Sequence, residues 1–168
     1  MRYPLLALLV ALMVPAWVQA QATVVQPPYA EPKAVFDFYF ADPSHINAAL
    51  YWLRALMTPL GEAPYNQSPD AMQIVVVIHG TEIVTLAKKN AEKYAEAVER
   101  MRYYAELGVK FRVCGMAAQD YGYQPADLQD FVEVAPSALP ELVYWQQQGY
   151  ALITPQVMAK RYSIEEIR

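Results

Sequence analysis

Apolar and polar positions along the chain switch between a period of two and a period near 3.6, and the switch points mark out the elements. Val35-Phe36-Asp37-Phe38-Tyr39-Phe40 is aromatic and β-branched almost throughout and reads as a first strand. Asp42-Pro43 then offers an N-cap followed by proline at the first helical position. Ile46, Leu50, Leu53 and Met57 keep helical spacing, which predicts a helix over 43–57 stopped by Pro59. A loop rich in proline, glycine and asparagine fills 59–70, longer than the roughly 2–6 residues usual for such connections. Met72 to Ile78 is continuously apolar but for Gln73, the pattern of a strand in a parallel sheet covered on both faces. It closes in His79-Gly80-Thr81-Glu82. Tyr94, Val98, Met101 and Ala105 predict a second helix running to Leu107, with Gly108 just past its end.

Val109-Lys110-Phe111-Arg112-Val113 is a third strand-like run, and it ends in Cys114 with Gly115 directly after. The small residues of 115–123 read as a helical turn or an ordered loop. Pro125 to Leu128 predicts a short helix and Phe131 to Val134 a fourth strand. A helix over 136–147 follows, with Leu139, Leu142, Val143 and Gln146 on one side and Gly149 at its end. Tyr150 to Ile153 is a fifth strand halted by Pro155, and 158–168 reads as a terminal helix. The alternation of strand and helix predicts one α/β domain over 35–168. Its architecture would be a three-layer α/β/α sandwich around a mostly parallel five-stranded sheet.

The segment ahead of that domain has a different grammar. Arg2, an apolar run from Leu5 to Val14, Pro15 and then Val18-Gln19-Ala20 have the order of a secretory signal peptide over 1–20. Cleavage after Ala20 or Ala22 fits equally. Ten apolar residues are too few to cross a bilayer core of about 30 Å, so no membrane span is expected in the mature form. A periplasmic or secreted protein is the expectation. Residues 21–34, with Pro27, Pro28 and Pro32, read as an extended arm on the surface.

Composition narrows the chemistry. The chain has 13 basic and 17 acidic residues and no basic cluster, which argues against nucleic acid as a partner. Cys114 is the only cysteine, so it is buried, paired between chains, or reactive. A lone cysteine in a core behaves as a small hydrophobe. At a strand end before glycine, in the crevice where open α/β sheets bind ligands, it is instead a candidate nucleophile. Gly115 would leave the sulfur open to approach, and the backbone N–H groups after Met116 could favour its thiolate. His79 ends the neighbouring apolar strand and could face the same crevice. Gly80 and Thr81 could present an N–H and a hydroxyl to an anion. Glu82 and Asp120 are candidate acid–base groups, though lone carboxylates after strands are more often caps or solvated. His45 is expected to be exposed. A chain of one cysteine and 2 histidines offers no zinc set within a subunit, and no cofactor signature is present. The lack of a Gly-x-Ser-x-Gly elbow disfavours a serine hydrolase. Thirteen tyrosines suit a homo-oligomer, because such rings are enriched at interfaces.

The order of Ile78-His79-Gly80, Leu107 to Cys114, Leu142 to Tyr150 and Ile153-Thr154-Pro155 resembles the DsrE/DsrF-like (YchN-like) family, in particular its exported members. The resemblance spans roughly 35–155. It implies a parallel five-stranded sheet and assembly into trimers or hexamers. In sulfur-relay members a cysteine at the end of the third strand carries sulfur as a persulfide, and Cys114 matches it by position. The expected function is thus a persulfide carrier or sulfurtransferase of sulfur or redox metabolism. Its partners would be a sulfur donor or acceptor protein, or a small sulfur compound. The rival is a non-catalytic small-ligand or oligomeric interaction module on the same scaffold.

Overall fold

A computed structural model describes residues 21–168; the expected signal peptide over 1–20 lies outside the described residues. Five strands form one parallel sheet: β1 (Lys33–Phe38), β2 (Gln73–Ile78), β3 (Lys110–Cys114), β4 (Val132–Ala135) and β5 (Ala151–Ile153). Their order across the sheet is β4-β3-β2-β1-β5. The helices are α1 (Ile46–Gly61), α2 (Ala95–Glu106), α3 (Gly115–Asp120), α4 (Ala138–Gln147) and α5 (Ile164–Ile167). The expected α/β sandwich with a five-stranded parallel sheet is what the chain forms.

The period-two alternation of each strand splits the core in two. Phe36, Phe38, Ile74, Ile78, Phe111 and Val113 turn to the face that carries α1 and α2, where they pack with Leu50, Leu53 and Met101. Val35, Val75, Val77 and Cys114 turn to the opposite face and meet Ala138, Leu142 and Trp145 of α4. Burying a side chain of this size stabilises the fold by roughly 1.5–3 kcal/mol. One face of the sheet therefore has two long helices, and the other has α4, with Ala117 of α3 and Tyr150 packed beside it.

Element boundaries depart from the sequence pattern for identifiable reasons. α1 runs through Pro59 to Gly61, because Leu60 is buried and extends the apolar stripe of Leu53 and Met57 by a turn. Ahead of α2, Thr81–Leu86 and Lys88–Asn90 are 3₁₀ turns, so the second helix begins only at Ala95. A 3₁₀ turn eclipses residues three apart, and Ile83 and Leu86 are both fully buried at that spacing. On α4 the buried stripe is Ala138, Leu142 and Trp145, whereas Leu139 and Val143 are exposed. Two apolar stripes lie side by side on that helix, and the Trp145 ring takes the inner one. The terminal helix is limited to Ile164–Ile167. Residues 21–32 form no helix or strand, and the arm is fastened where Gln67 Nε2 donates to the Tyr29 carbonyl at 3.0 Å.

Candidate functional site

The carboxyl ends of β1 and β2 are stitched together by one carboxylate. Glu82 is fully buried; its Oε2 accepts the Phe40 N–H at 3.0 Å and its Oε1 accepts the Gly80 N–H at 2.8 Å. Thr81 adds an N–H donated to the Phe40 carbonyl at 2.9 Å and a hydroxyl donated to the same oxygen at 3.0 Å. The approach is so close that a Cβ on Gly80 would lie 2.4 Å from Phe40 N and 2.5 Å from Glu82 Oε2. Burial pushes the Glu82 carboxyl above its ordinary pKa, against the opposing pull of the Gly80 and Phe40 N–H bonds.

His79 stands on this frame. Its Nε2 lies 2.7 Å from Asp37 Oδ1, and the Tyr39 ring stacks on the imidazole at 4.7 Å between centroids and 18° between planes. Asp37 and His79 are both largely shielded, with side chains 21% and 17% exposed. The register explains the meeting: Phe38 pairs with Ile78, so Asp37 and His79 sit diagonally on one face of the sheet. Such a carboxylate–imidazole contact fixes the ring and leaves Nδ1 for another partner.

The next strand brings in the sulfur. Ile78 pairs with Val113, so the residues that follow, His79 and Cys114, leave neighbouring strands side by side. Both belong to the face covered by α4, by the alternation of β2 and β3. Neighbouring strands are about 4.8 Å apart. Cys114 Sγ accepts the Ala117 N–H at 3.5 Å as the cap of α3.

A cavity of about 360 Å³ opens at this edge, walled by Tyr39, His79, Gly80 and Thr81 on one side and by Ala117, Asp120 and Tyr121 on the other. Three of the residues expected from the sequence, His79, Gly80 and Thr81, thus line one cavity, and Asp120 joins them. Cys114 is 6% exposed and does not wall the cavity; it lies in the apolar cluster of Val77, Ala138 and Leu142. Gly115 is buried, and a Cβ there would lie 2.8 Å from the Ala135 carbonyl oxygen, so it serves the packing of α3 against the end of β4. Met116 is 63% exposed and stands outside the cavity. His45 is half-buried, edge-on to Phe40, where exposure was expected.

Asp37 and Tyr39 are the site residues that the sequence reading passes over. The signal was present: Asp37 is a carboxylate inside an apolar strand with neighbours on both sides, and such a group needs a partner. Among the described residues no group of three or more His, Cys, Asp or Glu side chains is arranged to hold a metal ion.

Strand order and layers define a small parallel α/β sandwich, with a cavity beyond the carboxyl ends of β1 and β2. The description of the DsrE/DsrF-like family matches residues 23–155, and the chain belongs to that family. A protein of unknown function from Methanobacterium thermoautotrophicum has a similar solved structure, with a TM-score of 0.59 and 24% identity. That likeness covers 74% of this chain and 99% of the other, and it is a likeness of fold. Comparison with curated proteins finds no match.

Proposed function

We propose that this chain is an exported sulfur-handling protein in which Cys114 accepts a sulfur atom as a persulfide. The observation that carries this reading is the register that sets Cys114 beside His79, with Asp37 at 2.7 Å behind the imidazole. A thiol, a base and a carboxylate that orients the base are the parts an activated sulfur nucleophile needs.

The step conserves atoms and charge. The Cys114 thiol gives its proton to His79, whose positive charge Asp37 offsets. The sulfur then attacks the outer sulfur of thiosulfate; the donor's S–S bond breaks, sulfite leaves with the electron pair, and a new S–S bond forms on Sγ. A partner thiolate attacks the outer sulfur in turn, and Cys114 leaves as the thiolate and recovers its proton from His79. No oxidant or metal enters the balance. The cavity of about 360 Å³ has room for a small sulfur donor beside the imidazole.

A homo-oligomer, trimeric or hexameric, belongs to the same reading. It is supported by the outer stripe of α4, where Leu139 is 67% and Val143 52% exposed. Export, with a mature start at Gln21 or Thr23, is supported by the pattern of residues 1–20.

A ligand-binding module is the second reading, and a specific observation favours it. Cys114 is 6% exposed and absent from the cavity wall, as in a scaffold where the sulfur is only packing. Intact-mass measurement after incubation with thiosulfate or polysulfide separates the two. Sulfur transfer predicts a mass gain of whole sulfur atoms that is lost in Cys114→Ser and released by a reducing thiol. An unchanged mass in the wild type leaves the ligand-binding reading alone.

A further inference from the structure

The outer surface of the α1–α2 layer, on the other side of the sheet from Cys114, carries a second and larger hollow. It is a groove of about 980 Å³ between the two helices, with the C-terminal segment at its rim through Lys160. Ligand sites are commonly hollows of about 300–1,000 Å³ with apolar walls and a few converging polar groups. The walls here are rings: Tyr51 is 59% exposed, Tyr103 is 57% exposed, and Tyr104 is buried behind them. Three cations line the groove with the rings, Arg54, Arg100 and Lys160, against the carboxylate of Glu99 and that of Glu96, which lies 3.7 Å from Arg100 Nη1. That local balance is opposite in sign to the whole chain, which carries a formal charge of −4.

The cations differ in how they are held. Arg100 Nη1 donates to the Asn47 carbonyl at 3.0 Å and to Asn47 Oδ1 at 3.1 Å, so its guanidinium is fixed in the groove between α1 and α2. Arg54 and Lys160 make no salt bridge among the described residues. A smaller hollow of about 290 Å³ shares Arg54, Tyr103 and Tyr104 and runs on toward Met72, which lengthens the apolar floor.

From this arrangement we infer that the α1–α2 groove binds a small organic anion with a flat apolar body. The body lies against Tyr51 and Tyr103, and the anionic head, a carboxylate, sulfonate or phosphate, is taken by Arg54 with Lys160 beside it. Guanidinium suits such heads because its planar N–H groups pair with two oxygens at once. Tyrosine rings supply apolar contact area for the body. The site is independent of the thiol chemistry, and failure of either proposal leaves the other standing.

Titration of the full chain with naphthalene-2-sulfonate, followed by amide NMR shifts and calorimetry, tests the inference. Naphthalene-2-sulfonamide, which has the same ring and no charge, is the control. Saturable binding is expected, with shifts confined to α1, α2 and Lys160, and the sulfonamide should bind at least about tenfold more weakly. Arg54→Gln should weaken the sulfonate about tenfold and leave the sulfonamide unchanged, while Tyr103→Ala should weaken both. Both variants lie on the surface, and their amide spectra report whether the fold is intact. Equal affinity for the two probes, shifts centred elsewhere, or no saturation would overturn the inference.

Discussion

Glu82 holds the carboxyl edge of the sheet, and its removal from water gives it a measurable signature. Its carboxyl is pushed above the ordinary value of 4.5 by burial, so the folded chain binds that proton more tightly than the unfolded one. The contribution of Glu82 is therefore complete below the ordinary glutamate value and is lost as pH rises through the raised folded value. Glu82→Gln removes this titration. Urea unfolding from about pH 4 to about pH 8 should show the wild type losing ground to Glu82→Gln as pH rises, whatever the offset between them. Parallel profiles would contradict this. Gly80→Ala should cost about 1–3 kcal/mol in the same assay, since the new methyl meets backbone and a buried carboxylate with no slack. At this scale the sequence was a partial guide. His79, Gly80 and Thr81 were visible because a β-strand that ends in polar residues marks the edge of a sheet. The partner of Asp37 is not legible, because it lies on another strand and only the register of β1 with β2 joins them. The burial of Cys114 was equally hidden: it depends on where α4 crosses the sheet, which no local pattern encodes.

Elements were legible wherever one stripe of apolar residues dominated. The α1 pattern named Ile46, Leu50, Leu53 and Met57, and all four are buried. α4 was ambiguous because its two stripes are both apolar, and periodicity cannot choose between them. The outer stripe has a testable meaning. Leu139→Asp should leave the urea midpoint nearly unchanged, as exposed substitutions usually fall within about 0.5 kcal/mol. If α4 joins subunits, the same change should lower the mass seen by sedimentation from that of the wild-type assembly to that of one chain. A monomeric wild type, or an assembly that tolerates the aspartate, would remove α4 from the contact. The 3₁₀ path of 81–90 is unreadable for a simpler reason: polar Glu82 and Thr85 are buried along with Ile83 and Leu86, so polarity does not mark an outer face.

For the whole molecule, alternation of strand and helix was enough to give the layers and a parallel sheet. The order β4-β3-β2-β1-β5 was not given by it, since the chain must cross the sheet between β4 and β5 to reach the far edge. That crossing carries α4 over the face where β1, β2 and β3 present Asp37, His79 and Cys114. The functional reading thus turns on long-range topology more than on any motif. Exchange of Asp37 for Asn should slow persulfide formation about tenfold or more, because the imidazole loses the charge that steadies it during proton transfer. The central claim, that Cys114 is a nucleophile served by His79, is tested most directly by the rate at which iodoacetamide labels the folded protein. The account predicts stoichiometric labelling of the folded wild type, at a rate that falls at least about tenfold in His79→Ala. Labelling that begins only when the chain unfolds, at one rate with or without His79, would contradict it.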